Sequence, residues 1–523
     1  MQACYKAPMA AGRAWRAVYW IGLALGVLFI AVGVAAGPLH ENYFIADHLY
    51  IPTLFADLTR WHGRLSDWQL TPAPYVFPDM LLYGAAWLVT GAKTSEPAQY
   101  LTCCLQLLLV MVASRALLRR ALPARAAETA LVVPLLVAWL MLYACDAAAL
   151  VGPTLIFSAH GGTLLITLVV FALCLRPDHP PRATGTVAVG VLSALTGASD
   201  GLFVASSSVA LGVTALAAAW WQRRAQPPVL VVRCALAAVC GPAGLWAARQ
   251  SGIARAENLH GGTSVAFENA ARLWQDPDPL AKYALLGLAI VAVFACLLAA
   301  SERATPRLRI LACWQLLTTG SVLSALLYTG AYGDRWTLRY LIVPCELSVV
   351  VFAGWLSARL PEDSSAWASR ALTTLTLVSI GAFVCSITPL AHGNYQAPQR
   401  KAAQCVRRVG EREGVTAVLA DYWVAKPLML FTDDRVHALA VRSYLQPYFW
   451  ITSRGWYRGP HQFGLLITNG LAVSRARKVL HDPQSIERCE DLELYIYRDA
   501  ARDQMTRRVR AIFDKALVAF AVQ

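Results

Sequence analysis

Long apolar runs separated by short basic clusters fill most of the chain, and the pattern changes character twice. Runs near Ala17–Ala36, Pro97–Leu118, Thr129–Leu150, Gly161–Cys174, Val187–Ala198, Phe203–Trp221, Val229–Ala248, Tyr283–Ala300, Ile310–Tyr328, Leu338–Leu356 and Ala371–Leu390 predict membrane helices. A stretch of about 20 apolar residues crosses a hydrocarbon core, so this reading gives about eleven spans. The first change of character is a polar, aromatic segment from Gly37 to about Glu96. The second is the tail after about Tyr395, where short apolar runs alternate with polar ones.

Inside the first segment, Val76–Thr90 is apolar enough to invite a second span. Counting it as one puts Arg115, Arg119, Arg120 and Arg125 on the outer side, against the cytoplasmic bias of basic residues. The run also opens on Pro78-Asp79 and carries Tyr83 and Trp87, which suit a membrane surface. It is therefore read as an interfacial helix, 76–90, within a first outer loop of 37–96. The chain then begins inside and ends outside. The fold class expected is mainly α: a polytopic helical membrane domain over 1–394, followed by a small extracytoplasmic α/β domain over 395–523. In that tail Val415–Ala420, His437–Val441, Phe463–Thr468 and Leu494–Tyr497 predict strands, with helices at Gln399–Glu413 and Ala472–Leu480. Six aromatics from Tyr444 to Tyr457 suit sugar rings and membrane surfaces alike. The simplest expectation is that they pack onto the membrane helices.

Composition sharpens this. A chain of 523 residues that is 57% hydrophobic and 15% charged is not an ordinary soluble protein. The net charge of +14 would suit nucleic acid if the basic residues formed one face, but they fall between apolar runs. Nucleic acid is excluded as a partner on that placement. The 13 cysteines form no metal pattern, and most lie in apolar runs as small hydrophobes. Cys405 and Cys489 lie in the polar tail, where a disulfide is allowed if the tail is extracytoplasmic. There is no phosphate-binding glycine loop of the P-loop type.

Polar groups placed beside a bilayer are the candidates for chemistry. Asp47 follows the first span by about ten residues, and a carboxylate partly shielded from water there can act as a general base toward a hydroxyl. Glu41 and His48 are weaker alternatives. Asp79 follows Pro78 at the start of the interfacial helix, where a carboxylate is favoured electrostatically, so it reads chiefly as a helix-start residue. Asp200 sits at the turn of a short hairpin, where it either caps the next helix or marks a functional site. Glu346 lies deeper in an apolar run, with no partner to name. Arg335 and Arg339 flank Trp336 at the outer end of a span; four residues apart, they would share one α-helical face and could grip a lipid phosphate. His-Gly-Gly-Thr occurs at 160–163 and again at 260–263, and His160 could line a site at a helix mouth.

These features together resemble the GT-C glycosyltransferases, multi-span enzymes that use polyprenyl-phosphate-linked sugars. The layout is most similar to bacterial relatives of protein O-mannosyltransferases and lipid A aminoarabinose transferases. The residues carrying the resemblance are Asp47, then Pro72, Pro74, Tyr75, Phe77, Pro78, Asp79 and Tyr83, and later Arg339, Tyr340, Leu341 and Pro344. It covers roughly residues 15–390. Many relatives carry paired acids where this chain has Asp47-His48.

The resemblance implies inverting sugar transfer at the outer face of a bacterial inner membrane. Asp47 would be the catalytic base, with Asp79, His160, Asp200, Arg335, Arg339 and Tyr340 binding substrate. The partners implied are a polyprenyl-phosphate sugar donor, a lipid, glycan or protein acceptor, and membrane lipid. No metal ligands and no cofactor are assigned, and a divalent cation is left open. The rival classes are a lipid or glycan transporter (flippase) and a non-catalytic envelope assembly protein.

Overall fold

A computed structural model describes residues 44–91, 95–122, 158–176, 183–221, 228–253, 262–275, 279–301, 304–330, 335–359, 399–432 and 435–521. The expected spans near 17–36, 129–150 and 371–390 lie outside the described residues, as do Glu41 and His260. The chain divides into two compact units. A helical unit takes Pro72–Leu82 and the described part of Tyr100–Gly393, and an α/β unit takes the described parts of Pro38–Thr71, Tyr83–Gln99 and Asn394–Gln523. The first loop is thus shared out, with most of it grouped with the tail.

Among the described residues, five helices are long and apolar enough to cross a membrane: Ser95–Ala121, Val229–Gln250, Lys282–Ala300, Pro306–Tyr328 and Thr337–Leu356, of 27, 22, 19, 23 and 20 residues. Shorter apolar helices run over Val76–Val89, Gly161–Cys174, Ala183–Ser199 and Val204–Ala218. On the helix Pro279–Ala300 the exposed side chains Leu286, Ile290, Val293 and Leu297 recur at spacings of four, three and four. That stripe suits lipid contact, since an apolar face turned outward is stable only against another apolar phase.

Close backbone approach holds part of the bundle. A methyl group on Gly197 would overlap the carbonyl oxygen of Gly241, so the helices Ala183–Ser199 and Pro228–Gln250 cross where small residues let them touch. At Val204–Ser208 the chain widens into a π-turn, which takes backbone carbonyls out of the regular helical ladder. The hydroxyl of Ser321 donates to the carbonyl of Ala205 at 2.5 Å, and that of Thr318 to the carbonyl of Ser206 at 2.7 Å. In an apolar phase such carbonyls must find a protein donor. Buried Arg233 closes another helix end, donating to the carbonyl of Leu173 at 2.8 Å.

The α/β unit is built on a five-stranded sheet with strands β1 (Ala417–Ala420), β2 (His437–Ala440), β3 (Phe463–Ile467), β4 (Ser485–Cys489) and β5 (Leu492–Ile496) in the order β2-β1-β3-β5-β4. β1 pairs parallel with β2 and β3, whereas β5 pairs antiparallel with β3 and β4. β1 and β3 are buried along their whole length, as unbroken apolar runs in central strands should be. The expected strands correspond to β1, β2, β3 and β5. β4, SIERC, escapes the apolar pattern because it is an edge strand that buries only Cys489 and leaves Ile486 and Arg488 exposed. The helix Gln399–Glu413 carries a buried stripe of Ala402, Ala403, Val406, Val409 and Gly410. It is joined to β4 by a disulfide between Cys405 and Cys489, closing 84 residues of sequence.

Residues of the first loop pack within this unit. Phe44 meets Phe431 edge to face at 6.1 Å, and Arg400 pairs with Glu96 at 2.5 Å. Of the aromatic centre, Phe449, Trp456 and Tyr457 are buried within the unit, whereas Tyr444 is exposed. Tyr457 is buried and donates to the carbonyl of Ala440 at 2.9 Å, and Trp456 is buried against Trp68 with ring centroids 5.4 Å apart.

Candidate functional site

In the helical unit a polar centre forms where three loop ends meet. His160 precedes the helix Gly161–Cys174 in a left-handed conformation, φ 70°. Asp200 follows the helix Ala183–Ser199. Both are only 4% exposed. His160 Nδ1 lies 2.7 Å from Asp200 Oδ2, and the hydroxyl of Thr163 donates to the same oxygen at 2.5 Å. The other oxygen, Oδ1, accepts from the backbone N–H of Leu202 at 3.0 Å. Asp200 therefore caps the turn and holds the histidine at once. Burial pushes its carboxyl up, but His160, Thr163 and the Leu202 N–H together outweigh burial and hold it below its ordinary value.

An ionised Asp200 makes Nδ1 of His160 the protonated ring nitrogen and leaves Nε2 as the basic one. The phenol of Tyr75 lies 3.4 Å from Nε2. Tyr75 is itself left-handed, with φ 55°. It is pinned by its N–H to the carbonyl of Ser199 at 3.1 Å, and the N–H of Phe77 donates to Ser199 Oγ at 2.8 Å. The proline-rich segment is thus tied to the residue before Asp200. Burial drives the Tyr75 phenol well above its ordinary value, with the charge of Asp200 adding to it and Arg339 opposing.

Asp79 joins the same centre. Its carboxylate is 2% exposed and accepts from the backbone N–H of Ser158 at 3.1 Å. A side chain at Gly162 would overlap its Oδ2. Burial is the main reason its carboxyl is pushed up to about 6. The helix-start role expected of Asp79 is too small, because the side chain reaches residues far away in sequence. The tetrapeptide His160–Thr163 now has a structural meaning: His and Thr bind Asp200, and the second Gly leaves room for Asp79.

The remaining expected residues divide. The ring of Tyr340 stands 4.8 Å from that of His160, and the Arg339 guanidinium lies 5.5 Å from the Tyr340 ring. Arg335–Leu341 is a 3-10 helix. The Arg335 side chain lies outside the described residues. Asp47 belongs to the α/β unit, where it is half-buried and accepts from the Tyr422 phenol at 2.9 Å. Among the described residues, no group of three His, Cys, Asp or Glu side chains is placed to hold a metal ion. Sequence reasoning missed Tyr75 and Thr163 as site residues, although each lies in a motif singled out for other members.

No family model matches the chain. None of the curated proteins matches it either. Among solved structures, the oligosaccharyltransferase of Archaeoglobus fulgidus, in complex with Zn and sulfate, is similar over 85% of this chain and 67% of that one, at 11% identity and a TM-score of 0.37. A likeness of this degree carries no argument about fold or activity.

Proposed function

We propose that this chain is a membrane glycosyltransferase that moves a sugar from a polyprenyl-phosphate donor to a lipid, glycan or protein acceptor at the outer face of a bacterial inner membrane. The observation that carries the reading is the buried chain Asp200–His160–Tyr75, with Asp79 beside it. A buried carboxylate that holds an imidazole by one nitrogen leaves the other ready to take a proton. The GT-C-like layout of the sequence supplies the substrate class. The Cys405–Cys489 bond supports an oxidising side for the α/β unit.

In this reading, His160 Nε2 accepts the proton of the acceptor hydroxyl or amine as its lone pair bonds to the anomeric carbon. The bond from that carbon to the phosphate oxygen breaks on the opposite face, and its electron pair leaves with the polyprenyl phosphate. Configuration inverts, and no acid is needed for so stable a leaving group. Arg339 meets the phosphate charge. Tyr340 and Tyr75 shape the walls, and Asp79 is a second proton-holding group.

A second reading keeps Asp47 as the base, on the observation that Tyr422 orients its half-exposed carboxylate. Turnover of polyprenyl-phosphate-linked sugars by His160→Gln and Asp47→Asn separates the two. The first reading expects His160→Gln to lose about 100-fold or more and Asp47→Asn to stay within a few-fold. Wild-type turnover in His160→Gln sinks it.

A further inference from the structure

The α/β unit holds a cleft of about 500 Å³ that the proposed chemistry does not use. One wall comes from the first-loop segment with Trp61, His62 and Asp67, the other from the tail with Ser453, Trp456 and His461. From the cleft's floor outward, its parts are held in place. Asp57, 1% exposed, accepts from the indole N–H of Trp68 at 2.6 Å and of Trp456 at 2.7 Å. Behind these rings lies buried Lys426, its ammonium 4.9 Å from the Trp68 ring and 5.6 Å from the Trp456 ring, bonded to the carbonyl of Ile451. Trp61 stands edge to face with Trp456 at 5.9 Å and is only half-buried, so part of its indole remains at the cleft.

The polar groups at the cleft are of a particular kind. His461 bonds the carbonyl of Trp456 through Nε2 at 2.5 Å. Burial, the largest cause, brings it down to about 4, so the ring is neutral, protonated on Nε2, with Nδ1 an acceptor. His437, also at the cleft, is lowered by burial as well. Asp67 Oδ1 accepts from the Arg458 guanidinium at 3.0 Å. A side chain at Gly455 would come within 3.3 Å of Asp67 Oδ2 and 3.2 Å of Ser453 Oγ, so glycine keeps the space beside both oxygens open. A flat indole, neutral imidazoles, a hydroxyl and a fixed carboxylate match the mixed surface of a sugar, whose C–H face is apolar and whose hydroxyls both donate and accept.

We infer that this cleft binds a glycan, with one sugar ring laid on Trp61 and its hydroxyls met by Asp67, Ser453 and His461. This deepens the transferase reading and rests on it for the role of the glycan, which is the acceptor or a growing product held outside the reacting centre. The binding itself is testable without turnover.

The test uses the full chain in lipid nanodiscs and saturation-transfer NMR with the methyl glycosides of glucose, galactose, mannose and N-acetylglucosamine. Saturation should reach at least one glycoside, vanish with Trp61→Ala, return with Trp61→Phe, and persist in His160→Gln. Absence of transfer to all four, or transfer indifferent to Trp61→Ala, overturns the inference. Failure of the two readings is distinguishable. Trp61-dependent binding alongside wild-type turnover in His160→Gln would remove the proposed base and leave the glycan cleft standing. Lost turnover in His160→Gln without sugar binding removes only the cleft.

Discussion

His160 and Asp200, forty residues apart, meet through a 2.7 Å bond between Nδ1 and Oδ2 at a site where each is 4% exposed. An ion-competent pair so far from water is costly to assemble, and removing one partner strands the other. Asp200 also accepts from Thr163 and Leu202, so its replacement has two separable consequences. Asp200→Asn keeps the size and can keep the Leu202 contact, but it no longer favours a proton on Nδ1 of His160. Turnover should fall by about 100-fold or more while the melting temperature shifts far less than in Asp200→Ala. Equal turnover in wild type and Asp200→Asn would reduce the pair to a structural one.

Asp79 predicts a pH effect on stability. Its folded-state value, about 6, lies above the ordinary 3.8. Protonation is therefore favoured by folding: the stability it contributes is fully present below about pH 4 and is lost as pH rises through about 6. Asp79→Asn should remove that slope, so its advantage over wild type in unfolding free energy grows from pH 4 to pH 7, by at most about 3 kcal/mol. A constant difference across that range contradicts the assignment.

Gly162→Ala should disturb the same carboxylate from the other side, since the added methyl overlaps Asp79 Oδ2. A loss of about 1–3 kcal/mol is expected. Combined with Asp79→Ala the two losses should fall short of their sum, because the contact is shared. Strict additivity of the melting shifts would mean the two positions do not touch.

Most of the helices were legible because an apolar run long enough to span a bilayer has few other uses. The correspondence at Gly161–Cys174 runs residue for residue. The central strands were legible as buried runs, and β4 was not, because it has no apolar run and buries only Cys489. The site was legible only singly. Asp200 and His160 stood out as polar groups at helix mouths, but nothing in either local pattern names the other, since the contact is made by tertiary packing. Asp79 looked like a helix-start residue because Pro-Asp is a local signal, and its partners Ser158 and Gly162 are remote.

Lys426 gives the α/β unit its own pH signature. Burial brings its ammonium down to about 7, against Asp47 and Asp57, which favour the charge. Between about pH 7 and pH 10.5 the unfolded chain holds a proton that the folded one does not, so stability should rise with pH in that window and fall as pH drops through 7. Lys426→Met should flatten this slope in thermal melts followed by the fluorescence of the neighbouring tryptophans. A slope that survives the substitution assigns it to other groups.

The disulfide predicts both a compartment and a stability. Alkylation of intact cells without reductant should leave Cys405 and Cys489 unlabelled. Cys405→Ser should cost the α/β unit about 2–5 kcal/mol. Full labelling of both thiols in cells would place that unit on the reducing side of the membrane.

The central claim is that His160 takes the acceptor's proton. The most direct measurement is the rate of sugar transfer from a polyprenyl-phosphate donor by the wild type, His160→Gln and Asp47→Asn, all in lipid nanodiscs. The account predicts that turnover falls by about 100-fold or more in His160→Gln and stays within a few-fold of wild type in Asp47→Asn. Wild-type turnover in His160→Gln together with its loss in Asp47→Asn would contradict it.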